Sequence, residues 1–357
     1  MESPKIYNLE LLVTENCNLS CTYCFHKKLA KNMTMETLDK TLSFLKPHFD
    51  DFCSVTFFGG EPLLMVDFIV SAASRIKNEF VSTNFFISTN ATVFSPEIVS
   101  LMNVEGNTLQ LSYDGLDQDK LRGLGSIVRE NIQKYVHHMD KGDLTVRMTY
   151  TPETVDHLYE NIVHMHDLGF TSVMHSAEYS DKWTLEHLEE YENQLNKIYD
   201  FLKGMPTFRL HFADCKSVKI TKADVGCKMG KQMVAISADG DIYPCHRAVA
   251  HKDLKIGNVH EERLNRGVFL TLRMDGCDTC PAKGMCSTCF VANYEYGKSL
   301  TAMMPCTCSI NLAQFRKAAE VYEEVFGGDD LIKDAMIPLL KDIFDESKLA
   351  LILLNDQ

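Results

Sequence analysis

Short apolar runs alternate with stretches of helical period along the first ~205 residues. Residues 6–14, 52–58, 84–88, 108–113, 144–151 and 172–176 read as strands, rich in β-branched and aromatic side chains. Between them, residues 34–45, 67–80, 96–102, 128–139, 155–168 and 185–202 carry apolar positions at helical spacing. Ser95-Pro96 is a typical start for one of these helices, a capping hydroxyl followed by proline in the first turn. Strand–helix alternation of this kind predicts βα units on a parallel sheet. Six such units are too few to close an eight-stranded barrel.

After Gly204-Met205-Pro206 the pattern changes. Nine of the thirteen cysteines fall between Cys215 and Cys308, among turn-rich connections, and helical patterning returns over residues 310–354. The division expected from this is a core at 1–205, a cysteine-rich region at 206–325 and terminal helices at 326–357. No solenoid repeat or low-complexity linker interrupts it.

Composition narrows the function. The net charge of −13 over 357 residues lowers the prior on nucleic acid, which asks for a positive footprint. No apolar run is long enough to span a bilayer, and the start Met1-Glu2-Ser3-Pro4-Lys5 lacks a signal-peptide pattern. A cytoplasmic protein without a membrane role is expected. In a reducing compartment, thirteen cysteines point to metal ligands rather than disulfides.

Cys17, Cys21 and Cys24 stand in a C-x3-C-x2-C run directly after the first strand. Three thiolates, where a [4Fe–4S] cluster normally takes four, leave one iron open to another ligand. Buried thiols or a zinc site are the plainer alternatives. The spacing, with Tyr23 before the last cysteine, closely resembles the radical S-adenosylmethionine (SAM) signature. That resemblance implies a partial (β/α)6 TIM-like barrel, an α/β fold with the cluster loop after strand one. It also implies an open iron that chelates SAM, and one-electron cleavage of SAM to a 5′-deoxyadenosyl radical.

Other strand ends match the same family. Gly59-Gly60-Glu61-Pro62 follows the second strand and resembles the motif holding the SAM amino group, since glycines let backbone approach and an acid accepts from an ammonium. Read alone, it is an ordinary turn. Ser88-Thr89-Asn90 resembles the ribose-binding segment, with Ser88 and Asn90 as candidates. Ser112, in Leu111-Ser112-Tyr113-Asp114-Gly115, resembles the contact to the SAM carboxylate; Arg122 either adds a cation there or is a solvated surface arginine.

The second cysteine group reads Cys227-x12-Gly240-x4-Cys245, then Cys277-x2-Cys280-x5-Cys286-x2-Cys289, then Cys306-x-Cys308. Cysteine pairs at this density mean metal, and thiolate softness permits zinc or iron–sulfur. The pattern resembles the SPASM extension of radical SAM peptide-modifying enzymes, including Gly240 and the Tyr243-Pro244-Cys245 ending. It departs from it in having two residues, not three, between Cys286 and Cys289. The resemblance implies two auxiliary [4Fe–4S] clusters. One takes Cys227, Cys245 and Cys289, with Cys215 or a substrate group as the fourth ligand. The other takes Cys277, Cys280, Cys286 and either Cys306 or, preferably, Cys308. Cys53, inside an apolar strand, is expected to be a plain buried thiol.

Auxiliary clusters would accept the electron left after hydrogen abstraction, or bind a substrate thiol. The resemblance therefore implies a maturase of ribosomally made peptides, forming thioether or carbon–carbon crosslinks. The alternative within the group is anaerobic sulfatase maturation, oxidation of a protein Ser or Cys to formylglycine. Those enzymes carry an aspartate, thought to be the base, directly after the Tyr-Pro-Cys cysteine, where this chain has His246. With the cluster loop beginning at residue 17, no leader-binding domain is expected before the barrel. A peptide or protein substrate would then dock on the barrel rim or arrive with a separate recognition protein. A flavodoxin- or ferredoxin-type donor would supply electrons. From another class, a non-catalytic zinc or iron–sulfur electron carrier needs neither an open cluster nor SAM loops. His137, His138, His164 and His166 read as surface or core residues, and Tyr113, Tyr150 and His175 as cavity-lining positions near strand ends.

Overall fold

Six strands, each followed by helix, make up residues 6–203 of a computed structural model that describes residues 3–180, 182–205, 207–211, 227–277 and 289–320. They are β1 (Ile6–Thr14), α1 (Met35–Leu45), β2 (Phe49–Gly59), α2 (Val66–Lys77), β3 (Ser82–Thr89), α3 (Pro96–Met102) and β4 (Thr108–Ser112). The series continues with α4 (Gln118–Leu121), α5 (Gly125–His138), β5 (Asp143–Tyr150), α6 (Leu158–Asp167), β6 (Ser172–Ala177) and α7 (Leu185–Lys203). Every expected strand is present. β2 and β3 begin a few residues earlier than the apolar runs, because their exposed polar starts still pair in the sheet. The expected helix starts also carry their caps: Thr34 Oγ1 accepts from Thr37 N (3.1 Å) and Ser95 Oγ from Ile98 N (3.2 Å).

The chain forms two compact units. The first comprises Met1–Tyr113, Gln118–Val146 and Lys228–Leu272. In it β1, β2, β3 and β4 pair in parallel in that order, and β1 also pairs in parallel with β8 (Met233–Ile236). β8 continues antiparallel to β9 (Asp241–Tyr243), β10 (Gly257–Asn258) and β11 (Arg263–Leu264). Leu9, Leu11, Leu12 and Val13 of β1 are all buried, as a central parallel strand requires. Leu38, Leu42, Ile69 and Ile76 from α1 and α2 add to this core, where Phe57 and Phe85 stack at 5.6 Å. One charged side chain, Glu10, is buried within this strand.

The second unit comprises Asp114–Asp117, Arg147–Cys227 and Arg273–Gln357. β6 pairs in parallel with β7 (Arg209–His211), and α10 (Pro305–Glu320) packs on α7. Tyr150 and Tyr191 stack at 5.5 Å in its interior, and Tyr191 OH donates to Gln314 Oε1 (3.3 Å). Asp117 accepts from Asn161 Nδ2 (2.8 Å), tying the turn at 114–117 to α6. Among the described residues no helix is long and apolar enough to cross a membrane. The expected terminal helices at 326–357 lie outside the described residues, as do Cys215, Cys280 and Cys286.

Candidate active site

The cysteine loop is an excursion from the end of β1. Its base is closed by Glu15 N to Lys31 O (2.8 Å) and Leu29 N to Glu15 O (3.0 Å). Within it, Cys24 N donates to Cys21 O (3.2 Å) and Leu19 N to Cys17 Sγ (3.4 Å). Cys17 and Cys21 are half-buried and Cys24 is exposed. Burial pushes the Cys17 thiol up, and the hydrogen bond from Leu19 N opposes that shift.

Gly59 and Gly60 let the end of β2 lie directly against this loop. A Cβ at Gly60 would sit 2.2 Å from Asn16 O and 3.1 Å from Cys17 Cβ. Gly59 has φ +145°, and a Cβ there would sit 2.1 Å from Thr14 O. Glu61 then turns inward. Its Oε1 accepts from Leu63 N (2.9 Å) and Thr89 Oγ1 (2.6 Å), and its Oε2 accepts from Asn90 N (2.7 Å). Burial pushes this carboxyl up to about 7, against the three donors, which favour the carboxylate. Asn90 passes the connection onward: its Nδ2 donates to Asn18 Oδ1 (2.9 Å) and lies 3.8 Å from Cys17 Sγ. The ends of β2 and β3 and the cysteine loop are thus one hydrogen-bonded assembly.

Ser88 Oγ donates to Gln110 Oε1 (3.4 Å), a link from β3 to β4, and Ser112 is half-buried at the end of β4. The Arg122 guanidinium lies 5.2 Å over the Tyr23 ring, and Thr22 N donates to Leu121 O (2.9 Å), so α4 and the residue after it brace the cysteine loop. On another side, Phe58, Phe25 and His26 form a ring cluster with His246; Phe58 and His246 are 4.5 Å apart. His246 Nδ1 lies 2.8 Å from Glu10 Oε1, and its backbone N donates to Glu10 Oε2 (2.7 Å). Sequence reasoning had passed over Glu10, although a lone acid in the run Ile6–Thr14 was a readable signal.

Cys245 is buried in the first unit, just after β9. Gly240 precedes that strand with φ +82°, where a Cβ would come within 2.8 Å of Val259 and His260 side chains. Cys227, Cys277, Cys289, Cys306 and Cys308 belong to the second unit. Cys289 caps α9 (Phe290–Gly297), its Sγ accepting from Ala292 N (3.4 Å), and the buried Cys306 Sγ donates to Ser180 O (3.3 Å). Cys53 is fully buried, which pushes its thiol up to about 12. Among the described residues no three Cys, His, Asp or Glu side chains gather around a single metal-sized point. A cubane binds each thiolate through its own iron, so its ligands stand wider apart than those of a mononuclear site. Three thiols on one loop, one of them exposed, beside two glycines that bring backbone close, suit a cluster with an open iron.

The chain belongs to the radical SAM superfamily, whose family model matches residues 11–195; the SPASM iron-sulfur cluster-binding domain matches residues 227–290. It is a radical SAM enzyme that uses a [4Fe–4S] cluster and SAM, with auxiliary iron–sulfur clusters in the SPASM region. The chain is 24% identical over 284 residues to a cysteine-type anaerobic sulfatase-maturating enzyme of Clostridium novyi, spanning 70% of this chain and 75% of that one. It is 24% identical over 272 residues to the sporulation killing factor maturation protein SkfB of Bacillus subtilis, spanning 71% and 62%. Among solved structures, anSMEcpe with bound AdoMet and Cp18Cys peptide superposes with a TM-score of 0.69 at 17% identity, covering 93% of this chain and 99% of that chain. The fold is therefore the radical SAM barrel type, α/β with a parallel sheet.

Proposed function

We propose that the enzyme matures a ribosomally made peptide, abstracting hydrogen and closing a thioether or carbon–carbon crosslink. The observation that carries this reading is His246, anchored by buried Glu10 at the position where sulfatase maturases carry an aspartate. The relationship to SkfB, a maturation protein, supports it. Formylglycine formation is the second reading, favoured by the Clostridium novyi relative.

In this reading Cys17, Cys21 and Cys24 hold the radical cluster, and SAM lies along Gly59, Gly60, Glu61, Ser88, Asn90, Ser112 and Arg122. Glu61 would accept from the SAM amino group and also fixes Asn90, whose backbone N donates to it beside Leu63 N and Thr89 Oγ1. When bound, these groups supply one-electron cleavage of SAM and thereby hydrogen abstraction, with the electron coming from a flavodoxin- or ferredoxin-type protein. Cys227, Cys245 and Cys289 hold the first auxiliary cluster, with Cys215 or a substrate thiol completing it. Cys277, Cys280 and Cys286 hold the second with Cys308, because the Cys306 thiol is buried on the Ser180 carbonyl.

Anaerobic reconstitution of the wild type and of a Cys17→Ala/Cys21→Ala/Cys24→Ala variant tests the cluster assignment. About twelve irons should fall to about eight, and only the wild type should make 5′-deoxyadenosine. Short synthetic Cys-containing peptides then separate the two reactions by mass spectrometry. Loss of two hydrogens with sulfur retained supports crosslinking; conversion of the thiol carbon to an aldehyde overturns it in favour of formylglycine.

A further inference from the structure

Asn18, Asn90 and Thr92 close a ring of side-chain hydrogen bonds beside Cys17, all within the first unit. Asn18 Nδ2 donates to Thr92 Oγ1 (2.8 Å), and Thr92 Oγ1 donates to Asn90 Oδ1 (2.6 Å). Asn90 Nδ2 closes the ring by donating to Asn18 Oδ1 (2.9 Å). Its direction is set by Thr92 N, which donates to Asn90 Oδ1 (3.0 Å) and admits only an acceptor there. A carboxamide carries two N–H donors, and the ring uses one of them. The other is left for Cys17 Sγ, 3.8 Å from Asn90 Nδ2.

The backbone is bent to make this arrangement. Ala91, fully buried between Asn90 and Thr92, has φ +57°, a left-handed conformation disfavoured for a residue with a Cβ. It is pinned at both ends: its N donates to Thr89 Oγ1 (3.1 Å), and its O accepts from Asn131 Nδ2 of α5 (3.0 Å). Thr92 is thereby folded back onto Asn90, which is itself 7% exposed.

Cys17 Sγ thus receives two N–H groups, from Leu19 N (3.4 Å) and from Asn90 Nδ2. The first belongs to the cysteine loop, whereas the second comes from the end of β3, 73 residues on in sequence. Hydrogen bonds to the sulfurs are one of the levers that set an iron–sulfur potential. Reduction adds negative charge to a thiolate-ligated cluster, and an N–H donor favours the more negative state.

Resting on the assignment of Cys17, Cys21 and Cys24 to the radical cluster, we propose that Asn90 raises that cluster's reduction potential through its N–H on Cys17 Sγ. Asn18 and Thr92 are the positioning residues that aim the amide. The step served is the passage of one electron to the cluster from the flavodoxin- or ferredoxin-type donor, which is oxidised.

The test is EPR of the reconstituted holoenzyme at poised potentials. SAM is left out, so the ribose contact proposed for Asn90 plays no part. The signal followed is the one that the Cys17→Ala/Cys21→Ala/Cys24→Ala variant lacks. Asn90→Leu keeps the volume without the donor. It should lower the reduction equilibrium constant about tenfold, a midpoint shift of about −59 mV for one electron. Thr92→Val should shift the midpoint the same way but less, since Thr92 N still holds Asn90 Oδ1. Thr92→Ser, which keeps the hydroxyl, should restore the wild-type value. An unchanged midpoint in Asn90→Leu at full iron content overturns the proposal and leaves the ring a structural brace. Where the variants lose iron, the wild type decides. Pulsed EPR on protein whose asparagines carry ¹⁵N only in the side-chain amide should show that nitrogen coupled to the reduced cluster, and absence of coupling overturns the proposal. If the triple cysteine variant keeps every signal, the cluster assignment fails and the proposal falls with it.

Discussion

Glu10 and His246, 236 residues apart in sequence, are joined at two points, ring to one carboxylate oxygen and backbone N–H to the other. The pair fixes the segment that follows Cys245 to the centre of β1. Glu10→Ala removes both acceptors from a buried place, which should lower stability by roughly 2–4 kcal/mol. With the Cys245 segment released, iron should fall from about twelve towards eight per chain. Glu10→Gln retains one acceptor and should lie between. Denaturant midpoints and iron analysis on the three proteins check the order, and unchanged iron in Glu10→Ala would separate this pair from the auxiliary cluster.

Glu61 makes stability depend on pH. Its folded pKa of about 7 lies above its ordinary 4.5, so the native state binds the proton more tightly than the unfolded chain. The stabilisation from that proton is complete below about 4.5 and is lost as pH rises through about 7. Glu61→Gln, which cannot titrate, provides the reference. The wild type should lose up to roughly 3 kcal/mol relative to the variant between pH 5 and 8. Urea unfolding across that range gives the difference directly, and a rising difference would have the wrong sign for burial as the cause.

Gly60→Ala should damage the site more than its single methyl suggests. The new Cβ meets backbone, Asn16 O at 2.2 Å, so no side chain can swing aside. Overpacking of this kind costs about 1–3 kcal/mol. The displaced atoms begin the cysteine loop, so 5′-deoxyadenosine formation should fall by about 10²-fold. Gly204→Ala is the control, since its Cβ would find its nearest neighbour, Phe201 O, at an ordinary 3.6 Å. Comparable activity in the two variants would mean that the loop relaxes around Gly60.

The strands and the three-cysteine loop were legible because both are local: period in the apolar positions, and spacing along one loop. Glu61 shows what was not. Its motif could be read, but its partners Thr89 and Asn90 are 28 and 29 residues away, and only the parallel pairing of β2 with β3 brings them under its carboxylate. The sequence suggests the acid of a SAM motif; that both its oxygens also accept hydrogen bonds from the end of β3 and from Leu63 is a property of the fold. His175 is the reverse case. Its place near a strand end was readable, but the absence of partners on both ring nitrogens among the described residues depends on packing from α10, more than a hundred residues on. Cys306 and Cys308 could not be ranked by spacing beyond preference; what spacing does not show is that the Cys306 thiol is buried and donates to the Ser180 carbonyl.

Arg122 carries two separable contributions. Its guanidinium stacks over Tyr23, between Cys21 and Cys24, and its charge lies close enough to lower the carboxyl pKa of Glu61. A cation–π contact of this kind is worth about 0.5–1 kcal/mol, and a planar guanidinium covers the ring more fully than a compact ammonium does. Arg122→Ala should therefore lose about that much stability and, by removing the cation proposed for the SAM carboxylate, raise KM for SAM about tenfold. Arg122→Lys should lose less stability and keep KM within a few-fold, because the charge remains while the planar guanidinium does not. KM from 5′-deoxyadenosine formation and denaturant midpoints on the same preparations resolve the two. If lysine fails to rescue KM, the planar contact to Tyr23, and not the charge, is what SAM binding requires.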